Sequence, residues 1–92
     1  MIHNGADDNA SGSAALMELS RQLKNSNLKN NNYIFIAFSG EELGLFGSKY
    51  YTEHPAVDIT QTNYMINMDM VGRLNDSTHG FTIVNHGRTP CI

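Results

Sequence analysis

Two adjacent glutamates, Glu41 and Glu42, follow the apolar run Tyr33-Ile34-Phe35-Ile36-Ala37-Phe38 through a Ser39-Gly40 link. The run is short, aromatic and β-branched, which is the pattern of a buried strand. Carboxylates at the C-terminal end of such a strand stand where open α/β sheets build their sites. Neighbouring side chains of an extended segment point to opposite sides. One glutamate can then face a metal ion while the other faces a substrate and a water. The same residues have a plainer use. Ser39-x-x-Glu42 fits a capping box opening a helix, and acidic residues in a first turn favour the helix dipole. Taken alone, the pair fits a helix start better than a catalytic centre.

Two further acidic positions share its setting, each where a loop meets a regular element. Asp7-Asp8 precede a helical pattern, and Asp69 ends the run Tyr64-Met65-Ile66-Asn67-Met68. A carboxylate between Met68 and Met70, on a strand suited to burial, is costly unless paired or bound to a metal. The following Val71-Gly72 equally permits a plain strand-end turn. In Asp7-Asp8-Asn9-Ala10-Ser11-Gly12 one residue can serve as N-cap. Two consecutive aspartates are more than a cap requires.

The elements that must position these residues follow from periodicity. A helix is expected from Asn9–Ser11 to about Lys24, with Ala15, Leu16, Leu19 and Leu23 on its apolar face. Residues 25–32 form a polar, asparagine-rich connection. The strand at 33–38 follows, then a second helix over about 43–51, ended by Glu53-His54-Pro55 because the residue before a proline leaves the α region. Residues 62–68 and 80–84 read as two more strands. The expected fold class is α/β, a partial three-layer sandwich with about three strands of a mixed, partly parallel sheet and two helices.

Composition narrows the partners. With 92 residues the chain is one domain at most, near the small end for a self-sufficient core. A formal charge of −3 and scattered basic residues leave no patch to neutralise a nucleic-acid backbone. No apolar stretch approaches a membrane span, and the N-terminus lacks a signal-peptide pattern. The single cysteine, Cys91, cannot form an intrachain disulfide.

Taken in order, the three segments are Gly5-Ala6-Asp7-Asp8-Asn9-Ala10-Ser11-Gly12, Phe38-Ser39-Gly40-Glu41-Glu42-Leu43-Gly44-Leu45-Phe46-Gly47-Ser48 and Asn67-Met68-Asp69-Met70-Val71-Gly72. Together they closely resemble the co-catalytic zinc aminopeptidases of metallopeptidase family 28. The resemblance implies that Asp8 bridges two zinc ions, that Glu42 binds one and Asp69 the other, and that Glu41 is the general base. Asp7 would lie outside the ligand set. Some members have a non-proline cis peptide after the bridging aspartate, here Asp8–Asn9. Two zinc ions lower the pKa of the water they share, and a nearby carboxylate can move its proton to the leaving amine. The implied substrates are peptides with a free N-terminus.

The family's site also needs two histidines, from a motif upstream of the Asp8 loop and from near the end of the catalytic domain. His3, His54, His79 and His86 match neither position. The chain therefore reads as an incomplete catalytic domain over 1–92, lacking N- and C-terminal parts, inactive alone, and self-associating through exposed sheet edges. Many relatives are exported, which implies an extracytoplasmic location. Two other readings are a non-catalytic binding or assembly module of the same fold and a single-zinc enzyme resembling glutaminyl cyclases.

Overall fold

The stripe at Ala15, Leu16, Leu19 and Leu23 does form a helix. In the computed structural model, which describes residues 2–74 and Ser77, α1 spans Gly12–Asn25. The four stripe residues are half-buried and Met17, Glu18 and Arg21 are exposed, as a 3.6-residue period requires. On the exposed face Arg21 donates to both Glu18 carboxylate oxygens, at 2.8 and 2.6 Å, and Gln22 adds a third bond at 2.8 Å. These bonds, Arg21's first, hold the Glu18 carboxyl below its ordinary pKa. At the C-terminal end Lys29 Nζ donates to the carbonyls of Leu23 and Lys24, at 3.2 and 2.6 Å. That satisfies acceptors which a helix end leaves open.

The described residues fall into two compact units. The first takes in those of Met1–Phe35 and Asn67–Val84, the second those of Ile36–Ile66. The second unit is organised by α2, Phe46–Glu53, which starts later than the Leu43 expected and stops before Pro55 as expected. Phe38 packs edge-on against Tyr51, with ring centroids 5.9 Å apart. A 3-10 turn follows at Ile59–Gln61. Asp58 caps it, accepting from the Thr60 amide at 3.0 Å and its hydroxyl at 2.7 Å.

The expected sheet is not found among the described residues. Residues 33–38 and 62–68 carry no strand, and no strand occurs among the described residues. The third expected strand, 80–84, lies outside the described residues. The regular structure of the described residues is helical, and the α/β sandwich with a mixed sheet is overturned. The physical reason is pairing. A strand's N–H and C=O groups need a neighbouring backbone. Outside the helices, the longest-range backbone–backbone bond among the described residues joins Gly47 N to Ser39 O. Apolar side chains of both segments stay exposed, Ile34 by 51% and Ile66 by 65%, and no described hydrophobic residue is fully buried. An apolar, β-branched run encodes a preference for extended backbone but does not name its partner.

Gly47 shows how closely α2 approaches the segment before it. A Cβ there would stand 2.6 Å from Ser39 O and 2.9 Å from Ser39 N. Alanine favours a helix over glycine by about 1 kcal/mol, whereas forced overpacking costs about 1–3 kcal/mol. Gly47→Ala is therefore expected to lower helix content in a denaturant titration followed by circular dichroism. A gain would contradict the close approach.

Candidate functional site

The first candidate segment begins at Gly5, whose φ of 65° lies in the left-handed region that glycine enters freely. Ala6–Ser11 then forms a π-type turn that Asp8 and Asn9 leave, with φ/ψ of −107°/95° and −132°/41°. The Asp8–Asn9 peptide bond is cis, as the resemblance implied. Asn9 takes the capping role for α1, its Oδ1 accepting from Gly12 N at 3.1 Å.

Asn9 does more than cap. The same Oδ1 accepts from Met70 N at 3.2 Å, and Nδ2 donates to Met68 O at 3.1 Å. Ser11 Oγ donates to Asp7 O at 2.5 Å and accepts from Val71 N at 3.1 Å. Asp7 Oδ1 accepts from Gly72 N at 2.9 Å. Four hydrogen bonds thus join segments 59 to 65 residues apart. Closing a loop of that length costs on the order of 4 kcal/mol. A single bond contributes only about 0.5–1.5 kcal/mol. No one bond can hold the two segments, and the four together can.

This latch separates the aspartate pair. Asp7 is committed to the backbone of the partner segment. Asp8 and Asp69 are exposed, and their carboxylates make no hydrogen bond or ion pair among the described residues. They are brought into one unit, on two segments fastened by their immediate neighbours, with acceptor oxygens free for a cation. The burial expected around Asp69 is not found. Its case as a ligand rests on the latch and not on a desolvation cost. Val71 and Gly72 do form the expected turn.

Glu41 and Glu42 belong to the second unit. The chain turns there rather than running extended: Glu41 O accepts from Gly44 N at 3.0 Å and Leu45 N at 2.9 Å. The two side chains therefore do not alternate along a strand as expected, and Ser39 and Glu42 form no capping box. The residue before α2 is Leu45, and no side chain caps the helix. Both glutamates are exposed, with carboxylates unbonded among the described residues. The backbone of Glu41 is fixed while its side chain is free.

Periodicity could not show two left-handed residues. Met70, with φ 50°, follows Asp69, and Leu45, with φ 62°, bonds Glu41 O. Such backbones cost about 1–3 kcal/mol in non-glycine residues and gather at functional sites. Asn9 and Ser11 were likewise missed as fastenings. The available signal was Gly12, an unfavourable residue to open a helix unless something must approach it. Of the histidines, His3 is exposed and His54 stacks on Tyr50 at 4.3 Å; His79 and His86, like Cys91, lie outside the described residues. Within each unit, no three described His, Cys, Asp or Glu side chains gather into a metal-holding group.

Comparison with known proteins identifies the class. The model of peptidase family M28 matches residues 1–88, and the chain belongs to that family. It is 42% identical over 69 residues to aminopeptidase YwaD of Bacillus subtilis, covering 74% of this chain and 15% of that protein. It is 44% identical over 68 residues to a probable zinc metalloprotease of Pyrenophora tritici-repentis, covering 74% and 14%. To the probable lipoprotein aminopeptidase LpqL of Mycobacterium tuberculosis it is 38% identical over 72 residues, covering 77% and 14%. The chain thus spans about one-seventh of the length of these relatives. No solved structure matches it significantly.

Gly12 offers the sharpest test of the latch. It is the one described residue that is fully buried, and a Cβ there would stand 2.5 Å from both Asn9 Oδ1 and Met68 O. Helix propensity alone predicts that Gly12→Ala stabilises by about 1 kcal/mol; the clash predicts a net loss of about 1–2 kcal/mol. Urea denaturation should show the loss, together with faster proteolysis at residues 68–72. A more stable variant would refute the contact.

Proposed function

We propose that this chain is the carboxylate-bearing part of a catalytic domain, and that the whole protein is a zinc-dependent aminopeptidase. The observation that carries this reading is the split aspartate pair, Asp7 tied to Gly72 N and Asp8 left free. A pair serving only as a helix cap would need neither.

The donor chemistry fits zinc in part. Carboxylate oxygens are ligands that zinc accepts, usually alongside nitrogen or sulfur donors in a set of four. Asp8 and Asp69 supply such oxygens on latched segments of one unit, and Glu42 is proposed as a further zinc ligand on the family resemblance. The remaining donors must come from elsewhere, and the isolated chain is expected to bind zinc weakly. Two ions are proposed, which Asp8, Glu42 and Asp69 would help to hold.

Zinc, when bound, supplies a water of lowered pKa and polarises the carbonyl to be cleaved. Glu41 would serve as the general base, its carboxylate holding a proton during cleavage and passing it to the departing amine. Its side chain is free to do so, while its carbonyl is fixed by Gly44 N and Leu45 N. Proposed substrates are peptides with a free N-terminus, in keeping with the aminopeptidase names of two relatives. The lipoprotein name of one relative supports an extracytoplasmic location; among the described residues no helix is long and apolar enough to cross a membrane. Self-association of the isolated chain is proposed through its exposed apolar side chains.

The test uses the full-length gene product and an aminoacyl-nitroanilide substrate. Glu41→Gln should lower kcat by about 10²–10⁴-fold with zinc content retained, whereas Glu42→Gln should reduce zinc content itself. The 92-residue chain should release no product. Undiminished kcat in Glu41→Gln, or zinc-dependent turnover by the isolated chain, would contradict these roles.

A further inference from the structure

Asp8 and Asp69 can serve one metal centre only if their segments keep a fixed register, and one side chain holds the key contacts. Asn9 is covalently next to Asp8. Its carboxamide also grips Asp69 from both sides, donating to Met68 O at 3.1 Å and accepting from Met70 N at 3.2 Å. Ser11 and Asp7 hold Val71 N and Gly72 N, farther along the segment. We propose that Asn9 is a positioning residue, whose carboxamide sets where Asp69 stands relative to Asp8. The proposal rests on the reading that both aspartates bind zinc.

The residue type follows from the bonds. Met68 O needs a donor, while Met70 N and Gly12 N need an acceptor. Asparagine carries both on one planar amide, and glutamine's extra methylene would displace that group from its partners. Aspartate would keep the acceptor, lose the donor and add a negative charge next to Asp8. Gly12 completes the device, because its missing Cβ leaves the space that Asn9 Oδ1 and Met68 O occupy.

The test uses the full-length gene product, isotope-labelled, with zinc ion alone as the probe. Without metal, Asn9→Ala should speed amide exchange at Gly12 and Met70 by about 2- to 13-fold each, the factor that a lost bond of about 0.5–1.5 kcal/mol converts to. Amides within α1 at 16–23 should change much less, which separates repositioning from unfolding. Asn9→Asp retains the acceptor and should restore protection at Gly12 and Met70. Zinc affinity should fall about 10–100-fold in Asn9→Ala, the usual effect of removing a group that orients ligands. Unchanged exchange at Gly12 and Met70 overturns the proposal. Zinc binding that requires Asp8, tested by Asp8→Asn, but ignores Asn9→Ala overturns the proposal alone. Zinc binding that is absent, or indifferent to Asp8→Asn, overturns the metal reading and the proposal with it.

Discussion

A carboxamide presents an accepting oxygen and a donor nitrogen on one rigid plane, and Asn9 uses both at once. Its oxygen meets Gly12 N and Met70 N, and its nitrogen meets Met68 O. Helix α1 is thereby capped and the Asp69 segment fastened by the same group. The rest of the first unit's candidate site depends on this arrangement. Asp7 and Ser11 extend it to Gly72 and Val71, and Gly12 gives it room. Because the cost of closing so long a loop equals several weak bonds, the latch is cooperative.

What the latch leaves unbonded is as informative as what it joins. Around Asp69 the flanking backbone is held and the carboxylate is not. At the pair before α1, the first aspartate is committed and the second is free. The second unit repeats the theme by other means, with the Glu41 carbonyl held by two amides and the glutamate side chains open to solvent. Left-handed Met70 and Leu45 mark where the backbone is bent to achieve this. A fixed main chain sets where each carboxylate starts from, while its oxygens stay open to a ligand.

The parts legible in the sequence were the local ones. Helix α1 was readable because its stripe and its cap lie within a few residues of each other, and the end of α2 because Pro55 acts on its own neighbour. The four candidate carboxylates were readable as residue types beside turns. The sheet was not, because pairing joins residues far apart and the runs at 33–38 and 62–68 offer no clue to a partner. The role of Asn9 was hidden for the same reason, its partners lying 59 to 61 residues away. The capping box at Ser39-x-x-Glu42 failed for a conformational reason: left-handed Leu45 resets the start of α2 beyond the glutamates.

The most direct measurement is zinc equilibrium dialysis of the chain beside its Asp7→Asn and Asp8→Asn variants. Asparagine at position 7 keeps an oxygen for Gly72 N, while asparagine at position 8 removes a free carboxylate. Weak zinc binding should survive in Asp7→Asn and fall by about tenfold or more in Asp8→Asn. Equal loss in both, or loss confined to Asp7→Asn, would contradict the division of labour between the two aspartates and the metal centre built on it.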